Sequence, residues 1–196
     1  GSTSTSRPAS SPASSSQRER GQDVNGDFTR ETFRPQRHYW GVLRQQGRVD
    51  IDADWNEQVR IARHHDVART ADLVGPSGGP IAGAGFGLTV DAAGAVTVGA
   101  GRYYIAGALV ENESDVALTA QPDPPAGLPP TGAGLHLAYL DAWDRHVTAI
   151  DDPTIREVAL GGPDTATRAR TVWQVRTQPL PPGDADHSAA ITAAIA

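Results

Sequence analysis

The stretch His38–Glu57, HYWGVLRQQGRVDIDADWNE, opens on aromatic residues and closes on DADWNE. It joins a strand-like segment to a long helix. Gly41 and Gly47 break its first part, so a turn at Gln45-Gln46-Gly47 is expected between two short strands, Tyr39–Leu43 and Arg48–Ile51. Asp54 is a good N-cap and Glu57 stands three residues on, the spacing of a capping box. The helix is therefore expected from Trp55 to about Val74. Gly75-Pro76 is the stop, with glycine just past the last turn and proline beyond it. At about 100° per residue, Trp55, Val59, Ala62 and Leu73 share one face with Asp66. Ile61, Val67, Ala68, Ala71 and Val74 lie on other sides. Two readings follow: an ordinary core helix of modest amphipathicity, or a helix held between two surfaces, one of them from another protomer.

Upstream, residues 1–22 are rich in Ser, Pro and Ala and hold almost no large apolar side chain. Such a segment cannot bury enough surface to offset its ordering entropy. It is expected to be a disordered tail or an extended arm lying on a neighbouring subunit. In the lead-in that follows, Phe28 and Phe33 are candidate apolar plugs, and Pro35 forces the residue before it into an extended conformation. The division expected is a flexible arm and lead-in (1–32), an anchoring domain (33–180), and a linker (181–196) that opens a further, truncated region. The last of these rests on the closing run HSAAITAAIA, which reads as a helix cut off in mid-course.

Downstream of the helix, a Gly/Pro loop (75–85) leads into a β-meander. The expected strands are Phe86–Val90, Ala95–Val98, Arg102–Ile105, Leu109–Glu111 and Val116–Thr119. Turns are expected at Asp91–Gly94, Ala106-Gly107 and Asn112–Ser114. After a Pro/Gly-rich excursion (121–134), Leu135–Trp143 carries apolar residues on both faces, as a central, doubly covered strand would. His146–Ile150 is expected to continue it or pair with it. Thr171–Thr177 is the last strong strand, with Trp173 and Val175 facing one way. The fold class is therefore α+β: one long helix packed on a mostly antiparallel sheet or small sandwich.

Composition narrows the function. The 196-residue chain has no cysteine, which rules out disulfides and cysteine-ligated metals. Its formal net charge of −6 argues against non-specific nucleic-acid binding, which needs a basic surface. No apolar run reaches the length of a transmembrane helix, and no secretory leader is visible, so neither a membrane nor a nucleic acid is an expected partner.

Candidate chemistry is thin. Asp50, Asp52 and Asp54 alternate like calcium ligands, but the central glycine and the terminal bidentate glutamate of such a loop are missing. Capping and solvation account for them more simply. His64 and His65 point about 100° apart and cannot chelate one metal in the i, i+4 manner. Asp141, Asp144, Asp151, Asp152 and Asp164 could supply a glycosidase pair, yet Arg145, Arg156, Arg168 and Arg170 surround them in sequence and favour ion pairing. Gly161–Thr165 lacks the ending of a phosphate loop, and no nucleophile triad is present. No catalytic residue, metal ligand or cofactor is expected.

Three long motifs carry a resemblance: YWGVLRQQGRVDIDADWNEQ (39–58), GRYYIAGALVENE (101–113) and YLDAWDRHVTAIDDPTIREVALGGPDTATRARTVWQVR (139–176). In this order they resemble an uncharacterised bacterial domain family found at the N-terminal end of larger proteins, many encoded with phage-tail-like contractile injection systems or prophage tails. The resemblance implies a structural role in a baseplate, tail fibre or appendage. It also implies assembly in the bacterial cytoplasm into a particle that is released or acts at the cell surface. The implied partners are other tail or baseplate subunits and further copies of the chain, a trimer being favoured. The expected contact residues are Trp40, Gln45, Gln46, Trp55, Ile61, His64 and Ala68. Two alternatives stay open: a carbohydrate-binding or adhesion module using Tyr103, Tyr104 and Trp143, and the N-terminal part of a polysaccharide-degrading enzyme.

Overall fold

A computed structural model describes residues 26–125 and 134–180. The expectations for residues 1–22, for the middle of the Pro/Gly excursion and for the closing alanine-rich run concern segments outside the described residues. The fold is α+β, as the sequence predicts. One helix, α1 (Asp52–Val74), is followed by β1 (Ser77–Gly78), β2 (Leu88–Val90), β3 (Val96–Val98), β4 (Gly101–Ile105), β5 (Ala108–Asn112), β6 (Val116–Ala117), β7 (His136–Val147) and β8 (Arg168–Pro179). They form two three-stranded sheets, ordered β1-β4-β5 and β2-β3-β6, and a long two-stranded ribbon, β7-β8. Every strand pairing within them is antiparallel.

The three sheets meet in one core. Val98 from β3, Val110 from β5, Leu118 after β6 and Trp173 and Val175 from β8 are buried together. Phe86, Ile105, Leu140 and Ala142 pack around them. Trp173 and Val175 share a face, as expected from their spacing in a strand. The Trp173 ring meets Phe86 edge-on at 4.9 Å between centroids, and its indole N–H donates to the Glu111 carbonyl at 2.8 Å. A buried tryptophan thus finds a partner for its one polar atom.

Turn chemistry sets the hairpins. Ala106 and Gly107 both have positive φ (47° and 81°), the signature of a two-residue type I′ turn, and they join β4 to β5. Between β2 and β3 the Asp91 carboxylate accepts from the backbone N–H groups of Ala93 and Ala95, and Gly94 takes the left-handed position. Both were legible as turns. The short β1, formed by Ser77-Gly78 against β4, was not, because two residues in a Gly/Pro loop carry no periodicity.

Three expectations need correction. Residues 39–43 and 48–51 form no strands; a turn at Gln46-Gly47 joins two irregular arms. Alternating apolar residues there have no neighbouring strand to pair with. The helix begins at Asp52, with Ile51 as N-cap and no side-chain cap, so Asp54 is a first-turn residue and the capping box does not form. Finally, β7 is not a central strand. It runs on to Val147 and pairs with β8 alone, its inner positions Leu140 and Ala142 on the core and its outer positions Tyr139 and Trp143 on the far side.

Candidate functional site

The lead-in and α1 together build the most distinctive surface of the molecule. Thr29 bonds Asp52 twice, through its backbone N–H at 2.9 Å and its hydroxyl at 2.7 Å. Glu31 pairs with Arg60 at 2.9 Å, and the Thr32 hydroxyl donates to Glu57 at 2.6 Å. The Phe33 ring lies 5.8 Å from that of His64. The Val42 N–H then donates to the Gln58 side chain at 2.7 Å, and His65 approaches the Tyr39 carbonyl at 3.4 Å. Taken at about 100° per residue, these contacts run from one flank of the helix, around its back, to the opposite flank. The lead-in wraps α1 and leaves its front free.

The C-terminal half of α1 is held from the same side by the domain. The β4–β5 turn abuts it so closely that a β-carbon on Gly107 would overlap the Val67 carbonyl. Arg63 reaches β7 and pairs with Asp144 at 2.6 Å, where the Thr171 hydroxyl also donates. Ala53 and Ile61 are buried beneath the helix. Gly75, with φ 88°, ends it as the sequence requires, its N–H donating to the Ala71 carbonyl.

The expected contact residues therefore separate. Trp40 is 75% exposed and Trp55 61%, and Gln45 and Gln46 sit at the exposed turn. Ile61 is only 1% exposed; it is a core residue, so it cannot take part in an intermolecular contact in this fold. His64 lies about 180° around the helix from Trp55, its ring against Phe33 and His65. Ala68 is exposed but also lies off the Trp55 face. What sequence reasoning passed over is Leu43, Val49 and Leu73, all strongly exposed. Their signal was present in the helix periodicity for Leu73 and absent for the two irregular arms.

The carboxylates have structural partners. Asp50 pairs with Arg44 at 2.8 Å. Asp52 is held below the usual carboxylate range by the backbone N–H of Thr29 first and its hydroxyl second. Asp123 bridges Arg145 and Arg170, each at 3.1 Å, and Asp141 approaches Arg176 at 3.6 Å. Asp151 is lowered by the backbone and hydroxyl of Thr148 and then by Arg145, and Asp152 by Thr154. Of the ion pairs expected, Arg145 with Asp151 is present at 3.3 Å; Arg170 pairs with Asp123 instead, Asp144 with Arg63 and Asp141 with Arg176. Arg156 instead donates to the Gly162 carbonyl, and Arg168 to that of Thr167. Among the described residues no group of three His, Asp or Glu side chains is placed to hold a metal ion. No helix there is long and apolar enough to cross a membrane. Tyr103 and Tyr104 are half-buried neighbours on β4 whose side chains leave opposite faces of the sheet, and Trp143 stands on the separate β7–β8 ribbon.

These features define an α+β domain whose most prominent surface is an uncovered helix front, with ion-paired carboxylates elsewhere. The chain belongs to a family of unknown function, DUF6519, which matches residues 24–194. No curated protein and no solved structure matches it.

Proposed function

We propose that this chain is an assembly module of a phage-tail-like contractile injection system, anchoring a fibre or appendage at the baseplate through contacts with neighbouring subunits and further copies of itself. The observation that carries this reading is the exposed apolar surface around α1. Trp40, Leu43, Val49, Trp55, Val59 and Leu73 all stand in solvent, on α1 and on the two arms that precede it. Exposed aromatic and aliphatic residues gathered in one region are the composition of a protein-interaction surface. The family's place beside tail genes, implied by the resemblance of its three motifs, supplies the kind of neighbour.

Co-purification tests it. Tagged chain is co-expressed with the sheath, tube and baseplate proteins encoded beside it, and stable complexes are isolated. The expected result is capture of at least one baseplate or appendage subunit, lost on Trp40→Ala/Trp55→Ala. Failure to capture any of them, with folded chain in hand, rejects the assignment.

A further inference from the structure

The front of α1 carries more information than exposure. Trp55, Val59, Ala62, Asp66, Arg69 and Leu73 are all exposed, and they follow one another at intervals of 4, 3, 4, 3 and 4 residues. That is the a/d spacing of a two-helix seam. The lead-in wraps the back of the helix and the β4–β5 turn abuts it there, so the seam faces outward. Asp66 and Arg69 sit inside it, and neither takes part in the ion pairs of the described residues. Two unpaired, opposite charges in an apolar stripe are unfavourable in a contact that ignores them and favourable in one that matches them.

A reversed copy of the same helix matches them. When residue 66 is set opposite residue 69 of an antiparallel second copy, two-fold symmetry makes the contact twice: Asp66 meets the second copy's Arg69, and Arg69 meets its Asp66. The same register sets Leu73 over the second copy's Ala62 at both ends, a large side chain against a small one. It also sets Val59 over the turn at Pro76. A parallel arrangement, whether of two helices or three, would instead stack Asp66 on Asp66 and Arg69 on Arg69. Like charges facing each other in a seam disfavour it.

We propose that α1 pairs this chain with a second copy in a two-fold antiparallel contact, registered by reciprocal Asp66–Arg69 ion pairs and Leu73–Ala62 packing. The pairing deepens the assembly reading by naming one occupant of the helix front. It does not depend on which particle the chain serves.

The test uses the purified full chain in sedimentation velocity and equilibrium. Wild type is expected to reach twice the 20.6 kDa chain mass. Asp66→Arg or Arg69→Asp alone weakens pairing by about tenfold or more, and the double swap Asp66→Arg/Arg69→Asp restores it to within about threefold. Leu73→Asp abolishes it. All these positions are exposed, so circular dichroism, and melting temperature read at concentrations too low for pairing, track wild type and separate lost pairing from unfolding. The chain has no cysteine of its own, so orientation is read directly. A mixture of Ala62→Cys and Leu73→Cys chains cross-links on oxidation, whereas each variant alone does not. A single-chain mass at about 200 µM, a three-chain mass, or a double swap that fails to restore pairing overturns the proposal. Baseplate capture with no self-pairing removes only this inference. Self-pairing with no capture removes only the tail assignment.

Discussion

Replacing Gln121 should cost the domain more than any exposed residue of similar size. Its side chain acts as a one-residue strand on the open edge of β8. The Leu140–Val175 register leaves the Val175 backbone N–H and C=O pointing away from β7. The Gln121 amide takes both: its Nε2 donates to the Val175 carbonyl at 3.0 Å and to the Leu118 carbonyl at 2.8 Å, and its Oε1 accepts from the Val175 N–H. Gln121 and Val175 are both about 4% exposed, so water does not substitute freely. Gln121→Ala deletes three buried hydrogen bonds and strands one amide N–H. At about 1–3 kcal/mol for an orphaned buried group and about 1 kcal/mol for each of the two remaining bonds, the loss is roughly 3–5 kcal/mol. For a domain of this size that lowers the melting temperature by about 6–20 °C. Gln121→Glu is a sharper probe. Its carboxylate still accepts from Val175 but faces two carbonyl oxygens, so at neutral pH it should be at least as damaging as alanine. Protonation returns one donor, so the defect should shrink on acidification. Urea and thermal unfolding followed by tryptophan fluorescence report both, since Trp173 lies in the same core. A Gln121→Ala loss below about 0.5 kcal/mol, the range of ordinary surface substitutions, or a Gln121→Glu variant equal to wild type at pH 7, would refute the reasoning.

Three further outcomes are expected. Gly107→Ala places a β-carbon against the Val67 carbonyl at a left-handed residue, so stability should fall by roughly 2 kcal/mol or more, with hydrogen exchange rising first in the C-terminal half of α1. Trp173→Phe keeps the ring contact with Phe86 but loses the bond to Glu111 and leaves a gap, a loss of about 1.5–3 kcal/mol by chemical denaturation. Asp52 is stabilised in its charged form by Thr29, so its contribution is full above the ordinary carboxylate value of 3.8 and disappears as pH falls through its lower folded value. Amide exchange at Phe28–Glu31 should therefore be faster in Asp52→Asn than in wild type at pH 6, and the difference should close at the most acidic pH; a pH-independent difference would rule out this linkage.

The sequence by itself determined the local punctuation. Gly75-Pro76 ends α1 because a left-handed glycine and a proline cannot continue a helix. Ala106-Gly107 and Asp91–Gly94 make hairpins because their residues tolerate positive φ or bond their own backbone. Alternation placed Trp173 and Val175 on one inward face. The helix spacing likewise put Trp55, Val59, Ala62, Asp66 and Leu73 on one face. What only the tertiary structure decided is which side of each element is covered. The apolar residues of α1 are spread around it, so periodicity could not tell Ile61, buried, from Leu73, 80% exposed. The lead-in's wrap around the back of the helix settled that, through contacts between residues 16 to 31 apart. Glu57 illustrates the same point: local spacing offered it to a capping box, and Thr32 claimed it instead. Gln121 sat unnoticed in a Pro-rich stretch because its role depends on a strand 54 residues away. Short-range chemistry fixes where a chain turns and what it can bury; only long-range packing chooses which apolar face is satisfied within the chain and which is left for a partner.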